Sequence, residues 1–192
     1  MKKNILAILL VLSILVISLL VGCTTENATD NHLAEISEIL KSTNSSNGAI
    51  FTLDIKSNGN TVSQENTTYS VNGGEVNYTT TVSKPNPDLF GDKLVTENGE
   101  GTITKAEYFT KLYYSLALSE QDLNGKIEVN VSDSITTYKF KLKNVGLFID
   151  VEQSEVSDLI VSLKKSGNQL TEIELNYNYK GYTVNTKYTI NY

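Results

Sequence analysis

Residues 170–191 read LTEIELNYNYKGYTVNTKYTIN, and their reading decides the fold class. Lys180-Gly181 stands between two runs of alternating side chains, the pattern of a hairpin closed by a two-residue turn. Folding the chain there sets Tyr179 opposite Tyr182, Tyr177 opposite Val184 and Ile173 opposite Tyr188. The other face sets Glu174 opposite Lys187 and Asn176 opposite Asn185. One face is apolar and aromatic; the other is polar, with charges that match across the strands. Such a sheet is covered on one side and wet on the other.

The same alternation runs upstream. Leu159, Val161 and Leu163 alternate, as do Tyr138, Phe140 and Leu142, and Ile127, Val129 and Val131. Everything after Asn124-Gly125 therefore reads as a strand meander, with room in 145–156 for a short strand and a turn. A second meander precedes it. Phe51, Leu53 and Ile55 alternate, and Asn58-Gly59 is a strong hairpin signal that sets Ile55 opposite Val62. Val62 and Tyr69 have opposite parity, so a bulge is expected between them. Asn72-Gly73-Gly74 turns the chain back, with Val71 facing Val76 and Tyr69 facing Tyr78. Pro85 and Pro87 end this meander; Leu89 and Phe90 follow, two large apolar side chains that read as a flap over a cavity, as a contact dipping into the membrane surface, or as a plug at the edge of the core. A further short hairpin is expected around Asn98-Gly99.

Two helices complete the pattern. Leu33, Ile36, Ile39 and Leu40 recur on one face of a helix near 31–41. A second, near 104–118, opens on a capping box at Thr104 and Glu107 and carries Ala106, Phe109, Leu112, Tyr113, Leu116 and Ala117 on an apolar face. A helix so apolar must lie against something large, most simply the sheet. The expected class is α+β: one domain over 31–192, a large curved antiparallel sheet, or half-barrel, packed on one or two helices.

Chemistry is sparse. The formal charge is −6 and no basic patch is visible, which argues against nucleic acid as a partner. No G-x-S-x-G, H-E-x-x-H, phosphate loop or cysteine pair occurs, so the chain reads as no enzyme, with no cofactor and no metal. The one histidine, His32, reads as an exposed surface residue. Asp150, Glu152, Glu155 and Asp158 lack the spacing and the glycine of a calcium loop and read as a solvated acidic face.

The N-terminus is the sharpest signal. Lys2-Lys3 precede an apolar run over 5–21, which stops at Cys23, the only cysteine of the chain. Leu20-Val21-Gly22-Cys23 resembles the lipobox of bacterial lipoprotein signal peptides. The resemblance implies that the Cys23 thiol accepts a diacylglycerol and that a peptidase cuts just before it. Residues 1–22 are then a leader, 23–30 a lipidated tether, and the domain sits on the outer face of the bacterial cell membrane. Two acyl chains hold firmly where one is marginal. Loss of Lys2 and Lys3 with the leader takes the charge from −6 to −8, so the lipid and not the protein surface is the anchor.

The layout over 31–192 is similar to that of the LolA/LppX-type lipoprotein carriers, most closely in LIVSLKKSGNQLTEIELNY, residues 159–177. Those proteins hold lipids or lipidated chains in an apolar cavity between sheet and helices. The likeness implies a lipid or other hydrophobic ligand, a cavity lined by Phe109, Leu112, Tyr113 and Leu116, a flap at Leu89 and Phe90, and no catalytic residues. Residues 64–68 depart from it in carrying few large apolar side chains. The alternative left open is a non-catalytic surface structural or protein-interaction module, in which the helix simply fills the sheet.

Overall fold

The computed structural model of the chain describes residues 28–85, 94–112, 118–143, 145–149 and 153–192. The leader, Cys23, most of the expected tether, Leu89, Phe90, Tyr113, Leu116, Asp150 and Glu152 lie outside the described residues.

The first meander is β1 (Gly48–Ser57), β2 (Asn60–Asn72), β3 (Glu75–Pro85) and β4 (Leu94–Thr104). The second is β5 (Glu128–Ser132), β6 (Ile135–Lys141), β7 (Val156–Ser166), β8 (Gln169–Tyr179) and β9 (Tyr182–Asn191). Helix α1 (Ala28–Ser42) precedes the first, and α2 (Lys105–Leu112) follows β4. All nine strands join one open antiparallel sheet in the order β4-β3-β2-β1-β9-β8-β7-β6-β5. The pairing of β1 with β9 welds the two meanders.

The C-terminal hairpin has the expected register, Tyr179↔Tyr182 through Ile173↔Tyr188, with Glu174↔Lys187 and Asn176↔Asn185 on the other face. Lys180 and Gly181 both have positive φ, 49° and 85°, as a type I′ turn requires. Ile173, Leu175, Val184, Tyr188 and Ile190 are buried. Helix α1 lies on this face and buries Leu33, Ile36, Ile39 and Leu40, each worth about 1.5–3 kcal/mol. Its C-terminal end is clamped to β8: the Leu170 amide donates to Ser42 Oγ at 3.1 Å, and Tyr192 Oη donates to the Leu170 carbonyl at 3.0 Å.

Four expectations need correction. The bulge exists, but at Val62 itself: Lys56 pairs with Thr61 and Ile55 with Ser63, so Val62 is the extra residue and does not face Ile55. Asn98-Gly99 makes no hairpin; both lie mid-strand in β4, paired with Thr81 and Thr80 of an unbroken β3. The described parts of 145–156 hold short 3₁₀ turns instead of a strand, Val145–Leu147 and Gln153–Glu155, and bury Val145, Phe148 and Ile149. Helix α2 is described only to Leu112, and Leu118 is not helical. Its capping box is present, with the Thr104 amide donating to Glu107 Oε2 at 2.7 Å and the Glu107 amide to Thr104 Oγ1 at 3.2 Å. Its buried residues are Tyr108 and Leu112, one turn apart, while Ala106 is exposed.

Candidate functional site

Helix α2 meets the sheet over β2 and β3. Lys105 donates its amide to the Gly74 carbonyl at 3.3 Å, and Tyr188 Oη donates to the Lys111 carbonyl at 2.7 Å. Tyr108, fully buried, sets its ring 5.4 Å from that of Tyr69, which lies 6.2 Å from Tyr78. The Tyr69–Tyr78 pair follows from the Gly73-Gly74 turn, whose register sets the two residues face to face. Gly101 is opposite Tyr78 on β4, and a Cβ there would fall 2.7 Å from the Tyr78 hydroxyl. A glycine is what lets that ring lie down across the strand.

Beside this ladder is a cavity of about 160 Å³, bounded by Tyr69, Tyr78 and Ile103, by the Glu65, Thr67 and Thr80 side chains, and by Lys111 of α2. Thr67 is 2% exposed, and its hydroxyl donates to Glu65 Oε1 at 2.7 Å and contacts Thr80 Oγ1 at 2.7 Å. A hydroxyl has one proton, so Thr80 supplies the proton of the second bond. The half-buried Glu65 carboxylate is thus held in place through one oxygen, while Oε2 has no hydrogen-bond partner among the described residues. Lys111 makes no ion pair among the described residues. Burial, helped by the Glu65 charge, pushes the Tyr69 phenol up to about 12, so the ring stays neutral.

The face beside this cavity is mixed: Ser63 is opposite Ile55, and Glu97 and Lys84, an ion pair at 2.8 Å, are opposite Val82 and Val95. Leu53 of β1 and Val82 of β3 flank Glu65, and Ile55 and Val95 lie farther along the same face; all four are half-buried. Of the residues the sequence proposed for a cavity, Leu112 is 1% exposed, and Phe109 is half-buried against Tyr108 at 5.2 Å. Neither borders the 160 Å³ cavity. Sequence reading missed Glu65, Thr67, Thr80 and Lys111. The one available signal was the run 64–68, polar on both faces of a strand that should carry apolar residues on one.

His32 is half-buried, not exposed: it lies on α1 with Nδ1 4.0 Å from Glu35 and its ring 5.9 Å from that of Tyr138. Glu35 pairs with Lys165, which β7 points toward the helices, and its carboxyl is held below the ordinary value by the Lys165 ammonium and the Tyr138 hydroxyl. Of the acidic run, Glu155 pairs with Lys180 at 2.8 Å and Asp158 accepts from Asn178 at 3.5 Å. Among the described residues no group of His, Cys, Asp and Glu is placed to hold a metal ion, and no helix is long and apolar enough to cross a membrane. No family model matches the chain, and no curated protein does.

Proposed function

We propose that the chain is a lipid-anchored extracytoplasmic lipoprotein whose sheet curls as a half-barrel around a lipid or other hydrophobic ligand, without catalysis. The observation that carries this reading is the half-buried group of Leu53, Ile55 and Val82 on the helix-bearing face, next to a cavity under α2. Apolar side chains left half in water on the inner face of a sheet favour an apolar ligand there. The lipobox supports the anchor. Native mass spectrometry of the full chain released from membranes tests the ligand: a bound lipid mass is expected, and a clean protein mass under gentle release overturns the reading. Cys23→Ala tests the anchor. It is expected to abolish labelling by a palmitate analogue, and a variant that still takes up label removes the lipobox reading.

A protein-interaction module is the second reading, favoured by one observation. Edge strand β5 leaves Val131 67% exposed and Val129 38% exposed, an apolar margin with unpaired backbone groups.

A further inference from the structure

The cavity under α2 carries two opposite charges that do not meet. Glu65 is fixed by Thr67 on the sheet side, half-buried, with one oxygen unengaged among the described residues. Lys111 borders the same cavity from the helix side, exposed, and forms no ion pair among the described residues. Seven lysines pair with carboxylates among the described residues, Lys41, Lys56, Lys84, Lys164, Lys165, Lys180 and Lys187, while Lys105, Lys126, Lys139 and Lys141, like Lys111, do not. Glu65 accepts one hydrogen bond, from Thr67, so a cation that reaches its second oxygen gains a charge-assisted partner. Next to it stand two phenol rings, Tyr69 and Tyr78, tilted 47° to each other. Aromatic faces attract an ammonium group, and a carboxylate beside them adds to the pull.

We infer that this cavity is a headgroup subsite and that the ligand's head is a zwitterion, an ammonium joined to a phosphate. The inference rests on the carrier reading above. The ammonium goes to the sheet side, among Glu65, Tyr69 and Tyr78; the phosphate goes to the mouth, where the exposed Lys111 reaches it. The apolar part of the ligand leaves along Leu53 and Val82, which flank Glu65 in register. A purely anionic head would set its charge against Glu65, and a purely cationic one would gain nothing from Lys111, which has Glu107 one turn earlier on α2. A volume of about 160 Å³ suits a small dipolar head.

The test uses the full chain in maltoside micelles and three water-soluble probes read by ligand-observed NMR: glycerophosphocholine, choline and glycerol phosphate. Glycerophosphocholine is expected to bind at least tenfold more tightly than either fragment. Glu65→Gln should remove most of its advantage over glycerol phosphate, and Lys111→Gln most of its advantage over choline, with circular dichroism unchanged in both. Equal binding of the three probes, or a Glu65→Gln chain that holds glycerophosphocholine as tightly as the original, overturns the inference. If a lipid copurifies with the chain while the probes bind equally, the headgroup assignment fails and the carrier reading stands. If neither lipid nor probe binds, both fail.

Discussion

Glu172 sits on the solvent face of β8 between two lysines, with Lys164 Nζ and Lys187 Nζ each 2.7 Å from a carboxylate oxygen. Burial pushes its carboxyl up, and the two ammonium groups outweigh that, so it titrates below the ordinary 4.5. A folded-state value below the unfolded one means that stability is present above 4.5 and is lost as the pH falls through the folded value. Glu172→Gln is expected to cost about 1.5–3 kcal/mol at neutral pH and to flatten the loss of stability on acidification. Urea midpoints across the acid range check this; parallel curves for the two chains would mean that the pair contributes nothing. Gly48 shows a different kind of single-residue control. Its φ is 153°, and a Cβ there would lie 2.1 Å from the Tyr69 carbonyl oxygen, so only glycine lets β1 approach β2 at that point. Neither feature is legible in the sequence, because each depends on which strand lies alongside.

At the scale of elements, the hairpin of β8 and β9 is the part that alternation and turn chemistry specify best. Its cross-strand chemistry is less simple than direct opposition. Lys187 faces Glu174 in register but pairs diagonally with Glu172, and Glu174 instead accepts from the Asn185 amide at 2.9 Å. Asn185 also donates to Asn176 Oδ1 at 2.6 Å. Asn185→Asp keeps the size, removes both donors and sets a charge beside Glu174, so it is expected to destabilise the domain by about 1–2 kcal/mol. Denaturant midpoints check it, and an unchanged midpoint would mean that the amide ladder carries no weight. Helix α2 is the element read least well. Its cap is plain from Thr104 and Glu107, but the buried stripe of its described turns runs through Tyr108 and Leu112, where the sheet's Tyr69 meets the Tyr108 ring.

For the molecule as a whole, the decisive contact is β1 on β9, from Gly48↔Asn191 to Lys56↔Thr183. It joins chain segments near opposite ends of the domain, places β1 and β9 at the centre of the sheet and leaves β4 and β5 at its edges. Closing so long a loop before the pairing rewards it makes folding slow, on a scale of roughly milliseconds to seconds. Amide hydrogen exchange is expected to be slowest in β1, β8 and β9 and fastest in β4 and β5. Faster exchange in β1 than in β4 would mean that the two meanders open independently at the β1–β9 seam.

The sequence by itself determined what is local. Alternation, Asn-Gly and Lys-Gly turns, a capping box and the Tyr69–Tyr78 and Ile173–Tyr188 registers are set by residues close in the chain, where sterics and hydrogen bonding act over a few residues. The tertiary structure alone decided how the meanders join, why Asn98-Gly99 stays in a strand, and which side chains border the cavity. The strand pairing of β3 outweighs the turn preference of two residues, because each paired residue of β4 adds a backbone bond that a turn would forfeit. Glu65 and Lys111 lie far apart in the chain and have no local pattern in common; only packing α2 across β2 and β3 sets them around one cavity.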